Sequence, residues 1–435
     1  MLNRLDLRGV PLADLGASLP RPVVDGDAPV EAVRDIIAAV RAEGDAALRR
    51  FADQFDGGAP AQFRVDDEAL TRAWDGLAPG LRDALRVAHD SIEAFHRTQR
   101  RSPEHHEYAG MVVEGIQQPV DRAGCYVPGG RAAYPSTVLM TAVPAKVAGV
   151  SEVCLCVPPA ADGAIADVTL AAAHLAGVDE VYAVGGAQAV AAMAYGTEEI
   201  PAVDVIAGPG NVYVAIAKRE VAGDVGVAAA FAGPSEIVVI ADATAPVPFA
   251  AIDVVVQAEH GPGGLAWLIT WDDAVAAAVT EEVGRIALAS PRHDDIAATL
   301  AEGGYAVVVD SPEAAVEVAN RIAPEHLQLM VDDPRALLSG VRHAGAVFCG
   351  PLSPASVGDY VAGPSHVLPT NGTARFAGAL TVDDFCKDIH VITLDQDAID
   401  GVAEAVAAIA DAEGLPAHAQ SARMRTSATR ADDPT

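Results

Sequence analysis

The sequence predicts an α/β protein with two parallel sheets, N-terminal helices and a small helical C-terminal extension. From about residue 111, short apolar runs alternate with Ala-rich helical patterns, and Gly-rich turns separate them. The order strand, Gly-rich turn, helix, strand is typical of βαβ units, which build parallel sheets. The pattern recurs after residue 245, so we expect two sheets of related design.

Helical periodicity predicts the elements that cover these sheets and form the tail. The predicted helices span 29–53, about 66–100, a stretch ending at Gln257, 273–290, 312–322, 396–412 and 415–426. The polar residues after the last helix predict a frayed end.

Composition predicts a folded protein that binds neither nucleic acid nor a membrane surface. Hydrophobic residues make up 51% of the 435 residues, which is enough to bury a core and excludes a disordered chain. Lys and Arg number 29 and Asp and Glu number 60, so the net charge is −31. Phosphate-rich partners are bound through basic patches, and this charge balance argues against them.

Cysteine usage and the amino-terminal residues predict a cytoplasmic protein. The five cysteines are an odd and sparse set for a chain of this length, which favours a reducing compartment over a disulfide framework. The first sixteen residues contain acidic side chains and no long apolar run, so we expect no signal peptide. No apolar stretch is long enough to predict a transmembrane helix.

Two Gly-rich turns are candidates for a nucleotide site. GGAQA at 185–189 and AGPGN at 207–211 each follow a predicted strand and precede a predicted helix, whose amino terminus can bind phosphate. The dinucleotide fingerprint G-x-G-x-x-G is absent, and its nearest match, Gly261–Ala266, lies between a helix and a strand in the wrong order. From the turns alone, nucleotide binding and ordinary tight turns remain open.

Several histidines lie close to acidic or amide side chains. Gln257 and His260 share a helical face, and Glu325 adjoins His326, a pair that could divide acid–base work. Zinc accepts His nitrogen and carboxylate or amide oxygen, so four of these groups could form one metal site. Those four are Gln257, His260, Asp359 and His418. Spacing does not show that they converge, and surface pairs or helix caps remain the alternative.

Nine strings together resemble the histidinol dehydrogenase family, in that family's order, from about residue 20 to 425. They are GCYVPGGRAAYPSTVLMTAVPAKVAGV, GGAQAVAAMAYGT, IAGPGNVYVAIAKREV, AGPSEIVVIAD, QAEHGPGG, IAPEHLQL, VGDYVAGPSHVLPTNGTARF, VDDF and AEGLPAHA. One such string is weak evidence, whereas nine in order are specific.

The resemblance implies an enzyme that oxidises L-histidinol to L-histidine in two NAD-dependent steps, the last steps of histidine biosynthesis. It also implies one zinc ion per subunit, two incomplete Rossmann-like domains and an intertwined homodimer with shared sites. The implied boundaries are 1–125 for N-terminal helices and the first part of domain one, and 126–236 for the NAD-contacting domain. The rest of domain one, with most of the site, is 237–381, and the dimer-swapped extension is 382–435.

By that resemblance, individual residues acquire expected roles. The implied zinc ligands are Gln257, His260, Asp359 and His418, and these also contact the substrate. The further implied substrate contacts are Ser235, His326, His366 and Glu413. The implied NAD contacts are Tyr126, Gln188 and Asn211, and the implied acid–base pair is Glu325 and His326.

The resemblance also implies a mechanism in which one base acts twice. His326 takes a proton as each hydride leaves, and Glu325 activates the water that attacks the retained aldehyde. Ser365 stands where the family more often has Asn, and its hydroxyl can still donate and accept a hydrogen bond.

Three other functions fit parts of the pattern. A related enzyme acting on another alcohol, such as a sulfonated propanediol, would share the fold and the chemistry. A zinc hydrolase would use a carboxylate beside a metal-bound water, but the motif HExxH is absent. A non-catalytic, zinc-stabilised binding protein would have no need of adjacent Glu325 and His326.

Overall fold

The computed structural model describes residues 2–20, 29–129, 133–160, 162–228, 235–259, 261 and 263–427. The described strands, in chain order, are β1 Asn3–Asp6, β2 Glu104–Tyr108, β3 Met111–Pro119, β4 Arg122–Tyr126, β5 Glu152–Val157, β6 Glu180–Ala183, β7 Val205–Ala207, β8 Gly226–Val227, β9 Glu236–Ala241, β10 Leu265–Thr270, β11 Gly304–Val308, β12 His326–Met330, β13 Ala346–Cys349 and β14 Cys386–Leu394.

The described α-helices are α1 Val30–Glu43, α2 Asp45–Phe55, α3 Asp67–Gly76, α4 Pro79–Arg97, α5 Pro135–Ala148, α6 Asp167–Leu175, α7 Gly186–Tyr195, α8 Val212–Val221, α9 Val247–Ala258, α10 Asp273–Ala289, α11 His293–Gly303, α12 Pro312–Ile322, α13 Pro334–Leu338, α14 Ala355–Tyr360, α15 Gln396–Ala412 and α16 Pro416–Arg423. Short 3₁₀ helices lie at Leu15–Ala17, Thr373–Arg375 and Val382–Phe385.

The chain separates into two compact units. The first comprises Met1–Gln99 and Val120–Phe385, and the second comprises Arg100–Pro119 and Cys386–Thr435. The first unit contains two parallel sheets, and the α/β class predicted from the sequence is confirmed. The domain boundaries implied by the resemblance stay predictions.

The larger parallel sheet has six strands in the order β1-β11-β10-β9-β12-β13. Its inner strands are apolar on both faces because helices cover both sides. Ile237 and Val239 of β9 pack with α9 and α10, whereas Val238 and Ile240 pack with α12 on the other face. Parallel backbone pairing holds β9 and β12 side by side, with Ile237 opposite His326.

The smaller parallel sheet has five strands in the order β6-β5-β4-β7-β8. The chain runs outward from β4 to β6 on one side and returns to β7 on the other side of β4. Its core contains Cys154 and Cys156, which the sequence predicted as small core residues of one strand face. All five cysteines are free thiols.

The second unit consists of an antiparallel sheet and a helical pair. The sheet has the order β14-β3-β2, and the two helices α15 and α16 pack through Ala407, Ala410 and Ala419. The sequence predicted the helical extension, and α15 covers the predicted 396–412. It did not predict this antiparallel sheet.

Two long predicted helices are each two helices in the structure, so the single-helix predictions were wrong. The helix predicted over 29–53 is interrupted at Gly44, whose φ of 55° is outside the helical range. A Cβ at Gly44 would also collide with the Glu198 carboxylate. The stretch predicted from Asp66 to Arg100 is interrupted before Pro79, which starts α4 because proline fits the first helical turn and not a helix interior.

The sequence analysis did not predict two further elements. Helix α11 follows α10 directly, and strand β1 pairs with β11 across some 300 residues of chain. Within the described part of the chain, no helix combines the length and the apolar character that crossing a bilayer requires.

Candidate active site

A group of titratable side chains lies at the amino edge of the six-stranded sheet. Glu236 begins β9 and follows Ser235, whose carbonyl accepts the N–H of Leu265 at the start of β10. Glu325 and His326 lie at the start of the neighbouring strand β12. Because β9 and β12 are adjacent and parallel, these side chains share one edge of the sheet.

Backbone groups of β9 fix both members of the pair predicted from the sequence. The N–H of Glu236 donates to Oε2 of Glu325 at 3.0 Å, and Nδ1 of His326 lies 3.2 Å from the carbonyl oxygen of Glu236. A carbonyl oxygen only accepts, so Nδ1 carries a hydrogen and Nε2 is the nitrogen left to exchange a proton. Glu325 is 7% exposed and His326 is 4% exposed, so bulk water has little access to either.

Burial and neighbouring charges shift the pKa values of the pair. Burial raises the pKa of Glu325 to about 7, against the lowering effects of His326 and of the Glu236 N–H. Burial alone lowers the pKa of His326, but the hydrogen bond with Asp359 and the charge of Glu325 outweigh it and raise that pKa to about 9. A carboxyl that titrates close to neutral pH, beside an imidazole whose protonated form is favoured by its carboxylate neighbours, is suited to proton transfer.

Asp359 connects His326 to a histidine on a separate loop. Its Oδ1 lies 3.4 Å from Nε2 of His326, and its carbonyl oxygen lies 2.9 Å from Nδ1 of His366. Nε2 of His366 in turn lies 3.2 Å from Oγ1 of Thr137 in the first turn of α5. The contact with Thr137 brings the helix that follows β4 of the five-stranded sheet against the cluster at the edge of the six-stranded sheet.

Ser365 anchors this loop. Its hydroxyl donates to the carbonyl of Met140 at 2.9 Å and accepts the N–H of Val367 at 3.2 Å, and the side chain is buried. The expectation that serine can both donate and accept at this position agrees with these two contacts.

The end of helix α9 approaches the same cluster. Gln257 is buried in the last turn of α9, and Glu259 follows it. Burial raises the pKa of Tyr360, and the charges of Asp359 and Glu259 add to that rise. Tyr360 therefore lies within electrostatic reach of both elements that carry predicted oxygen ligands.

The structure describes three of the four predicted zinc ligands, and their role stays a prediction. His260 lies outside the described residues. His418 lies in the second unit on α16 and is exposed, as is Glu413 directly after α15. Among the residues that are described, no group of three or more His, Cys, Asp or Glu side chains is arranged to hold a metal ion. Gln257 and Asp359 are oxygen donors of the kind zinc accepts, so the chemistry of these two fits the metal.

The three residues predicted to contact NAD lie at the carboxyl edge of the five-stranded sheet. Tyr126 ends β4, Gln188 lies in the first turn of α7, and Asn211 caps α8, where its side chain accepts the N–H of Val214 at 3.2 Å. The strand order reverses beside β4, and ligands of open α/β sheets bind at such a switch point.

These three residues differ in how accessible they are. Asn211 is exposed, whereas Gln188 and Tyr126 are buried, and the Tyr126 hydroxyl accepts the N–H of Gly186 at 3.0 Å. Gly208, which follows β7, has a φ of 106°, and a Cβ there would collide with the Tyr126 carbonyl oxygen. Buried Lys218 donates to the Gly208 carbonyl at 2.7 Å. The turn is thus rigidly built, although it lacks the dinucleotide fingerprint.

The comparison with known proteins decides the family. The family model described as histidinol dehydrogenase matches residues 19–426. The chain belongs to the histidinol dehydrogenase family. Curated histidinol dehydrogenases of Synechococcus sp. and Moorella thermoacetica are 51% and 50% identical to it, over 90% of this chain and 91% and 93% of theirs. A crystal structure of histidinol dehydrogenase from Elizabethkingia anophelis has a TM-score of 0.92 at 33% identity and covers 98% of both chains.

The family predicted from the nine sequence strings is therefore confirmed, and with it the prediction of a dehydrogenase. The roles of individual residues stay predictions. Sequence reasoning passed over Thr137, Glu236 and Tyr360, although each stands inside a quoted string. Glu236 directly follows Ser235 and Tyr360 directly follows Asp359, so adjacency to a predicted site residue was the available signal.

Proposed function

We propose that this member of the histidinol dehydrogenase family oxidises L-histidinol through L-histidinaldehyde to L-histidine and reduces two NAD. The contact between Thr137 and His366 is the observation that carries the proposal. It joins the helix that follows β4, at the predicted NAD edge, to the cluster of Glu325, His326 and Asp359. A proton acceptor and a nucleotide-binding edge in one place are what hydride removal from an alcohol requires.

In this proposal His326 acts at Nε2. The carbonyl of Glu236 holds Nδ1, so the ring is oriented and Nε2 accepts the hydroxyl proton as the hydride leaves carbon. Glu325 removes a proton from the water that adds to the aldehyde, and His326 accepts a proton again in the second oxidation. Burial of both side chains excludes competing water from the intermediate.

The proposal includes zinc and NAD because the chemistry of the predicted residues suits both. Gln257, His260, Asp359 and His418 would hold zinc, which would supply a Lewis acid to position the substrate. Ser235, His366 and Glu413 would contact the substrate. Asn211 would contact NAD directly, whereas buried Tyr126 and Gln188 would shape the turn against it. NAD supplies the hydride acceptor.

We also propose a cytoplasmic homodimer with shared active sites. Glu413 and His418 belong to the second unit, whereas the other predicted site residues belong to the first. In the proposed dimer each site takes these two residues from the other subunit. Five free cysteines support a reducing compartment.

The test is NADH formation from purified protein. We expect two NADH per L-histidinol, L-histidine as product, and no NADH from a sulfonated propanediol. Chelation should abolish turnover while the melting curve is retained, because the first unit has its own apolar core. NADH from the propanediol and none from histidinol would assign a different substrate. Hydrolytic activity without NADH would refute a dehydrogenase.

A further inference from the structure

The phenyl ring of Phe348 lies beside the imidazole of His326. Phe348 is in β13, which pairs in parallel with β12, and Ala346 of β13 lies opposite His326. Side chains alternate between the two faces of a sheet, so Phe348, two residues after Ala346, is on the same face as His326. The centroids of the two rings are 5.9 Å apart, and their planes are inclined by 30°. Phe348 is therefore a direct neighbour of the proposed base.

The far end of the same phenyl ring reaches α14. A Cβ added at Gly358 would lie 2.7 Å from both Cε1 and Cζ of Phe348, which is closer than Cβ atoms pack in proteins. Glycine at this position therefore lets the helix backbone approach the ring directly. Ala355 is three residues earlier on the same helical face and is buried in the core beside α9 and α10, against which Phe348 also packs. These two small residues seat α14 on the sheet.

The residue that follows Gly358 is Asp359, whose side chain is the other neighbour of His326. Oδ1 of Asp359 lies 3.4 Å from Nε2 of His326. The phenyl ring thus lies next to the strand that carries the proposed base and also next to the helix that carries the carboxylate. Because protein interiors are close-packed and transmit displacements, the size of this ring sets the separation between the two elements.

The polar contacts of His326 leave the angle of its ring only loosely fixed. Nδ1 lies 3.2 Å from the carbonyl oxygen of Glu236, and this contact and the one with Asp359 are both long for hydrogen bonds. The χ2 torsion of histidine has a broad energy minimum, so long contacts permit a range of ring angles. A phenyl ring packed against the imidazole narrows that range.

We propose that Phe348 is a positioning residue whose ring holds the imidazole of His326 at the angle and the distance from Asp359 that proton transfer requires. The inference rests on the proposed function, in which Nε2 of His326 accepts a proton in both oxidations. Phe348 exchanges no proton itself. A displacement of about 1 Å at a reacting group costs about a hundredfold in rate, so a packing residue can govern kcat without touching the substrate.

Three variants test this role. Phe348→Leu removes Cε1 and Cζ, and we expect kcat to fall about tenfold in both oxidations, part of what a 1 Å displacement costs, with the KM for NAD unchanged. Gly358→Ala forces a Cβ against the ring and should lower kcat by about a hundredfold. In the double variant the new Cβ enters the space that leucine leaves. The double variant should therefore be no slower than Phe348→Leu alone, which is a non-additive result.

Two matched controls separate positioning from stability. Phe51→Leu shortens a buried ring of α2 in the core of the five-stranded sheet. It should lower the melting temperature at least as far as Phe348→Leu does and leave kcat unchanged. Gly284→Ala adds a Cβ to helix α10 where no atom lies within 4 Å, and it should change neither quantity. The measurements are kcat with histidinol and with histidinaldehyde, the KM for NAD and the melting temperature.

Four results would overturn the inference. The first is a kcat within a factor of two of the unmodified protein for Phe348→Leu or for Gly358→Ala. The second is a double variant slowed by the product of the two single effects, about a thousandfold, which means that ring and helix act independently. The third is a fall in kcat for Phe51→Leu as large as that for Phe348→Leu, which attributes the loss to stability. The fourth is an unmodified protein that forms no NADH from histidinol; this refutes the proposed function too and is seen before any variant is made.

Discussion

Replacing Glu325 with glutamine should separate the two oxidations. Glutamine can still accept the Glu236 N–H, so His326 keeps its orientation and the first hydride transfer should change by less than about threefold. The second oxidation loses the carboxylate that activates water and should slow by about a hundredfold to a thousandfold. Single-turnover NADH formation, started with histidinol or with histidinaldehyde, measures the two steps separately.

The pKa of Glu325 leads to a second measurable consequence, which is the pH dependence of the second oxidation. With a pKa of about 7, the ionised fraction rises roughly tenfold between pH 6 and pH 8, and the second step should rise with it. In the glutamine variant that rise should disappear.

Stability provides the control. Because burial raises the pKa of this acid in the folded state, its ionisation destabilises the fold as pH rises through 4.5 and up to about 7. The glutamine variant should therefore melt no lower than the unmodified protein at neutral pH. Equal loss in both oxidations, or a pH dependence that survives the substitution, would refute the role of Glu325.

Three other predictions concern the base, the nucleotide turn and the dimer. His326→Asn should slow both oxidations by similar factors of about a hundred or more, since the same nitrogen acts twice; loss of only one step would contradict this. Gly208→Ala should lower the free energy of unfolding by about 2–4 kcal/mol, because the φ of 106° disfavours alanine and the new Cβ collides with the Tyr126 carbonyl oxygen. The distorted turn should also raise the KM for NAD. Gly223→Ala is its control, with a φ of 108° and open space around the Cβ, and equal effects in both would exclude the collision. Subunit exchange between His326→Asn and His418→Asn should restore about a quarter of the sites, and zero activity after confirmed exchange would exclude sharing.

Local patterns predicted the parallel sheets well, because each strand of a βαβ unit is followed by its own turn and helix. Strand β1 and the pairing of β3 with β14 follow no such local rule, whereas β2 and β3 form a hairpin through a two-residue turn at Ala109 and Gly110 that the sequence analysis missed. Every residue of β2 is exposed, and β3 pairs with β14, some 270 residues later, so no short window contains their hydrophobic pattern. The interruption at Gly44 is a single positive φ that helical periodicity does not reveal.

For the site, residues adjacent in sequence could be predicted as a pair, whereas the approach of residues distant in sequence could not be predicted. The pair of Glu325 and His326 could be identified as neighbours, and the structure adds what holds them, namely the backbone of Glu236. The approach of Thr137 to His366 joins positions 229 residues apart and depends on how two sheets meet. Family resemblance supplied roles that spacing alone left open.

The hydroxyl of Tyr126 already occupies the N–H of Gly186, one of the donors at the start of α7 that would otherwise face a phosphate. NAD bound at this edge, as proposed, would find one N–H donor of the helix terminus already occupied. We therefore expect it to dissociate rapidly. In the proposed reaction NADH must leave and a second NAD must bind before the reactive aldehyde is oxidised, so rapid exchange of the cofactor is an advantage. Tyr126 would thus favour rapid exchange of NADH for NAD between the two oxidations.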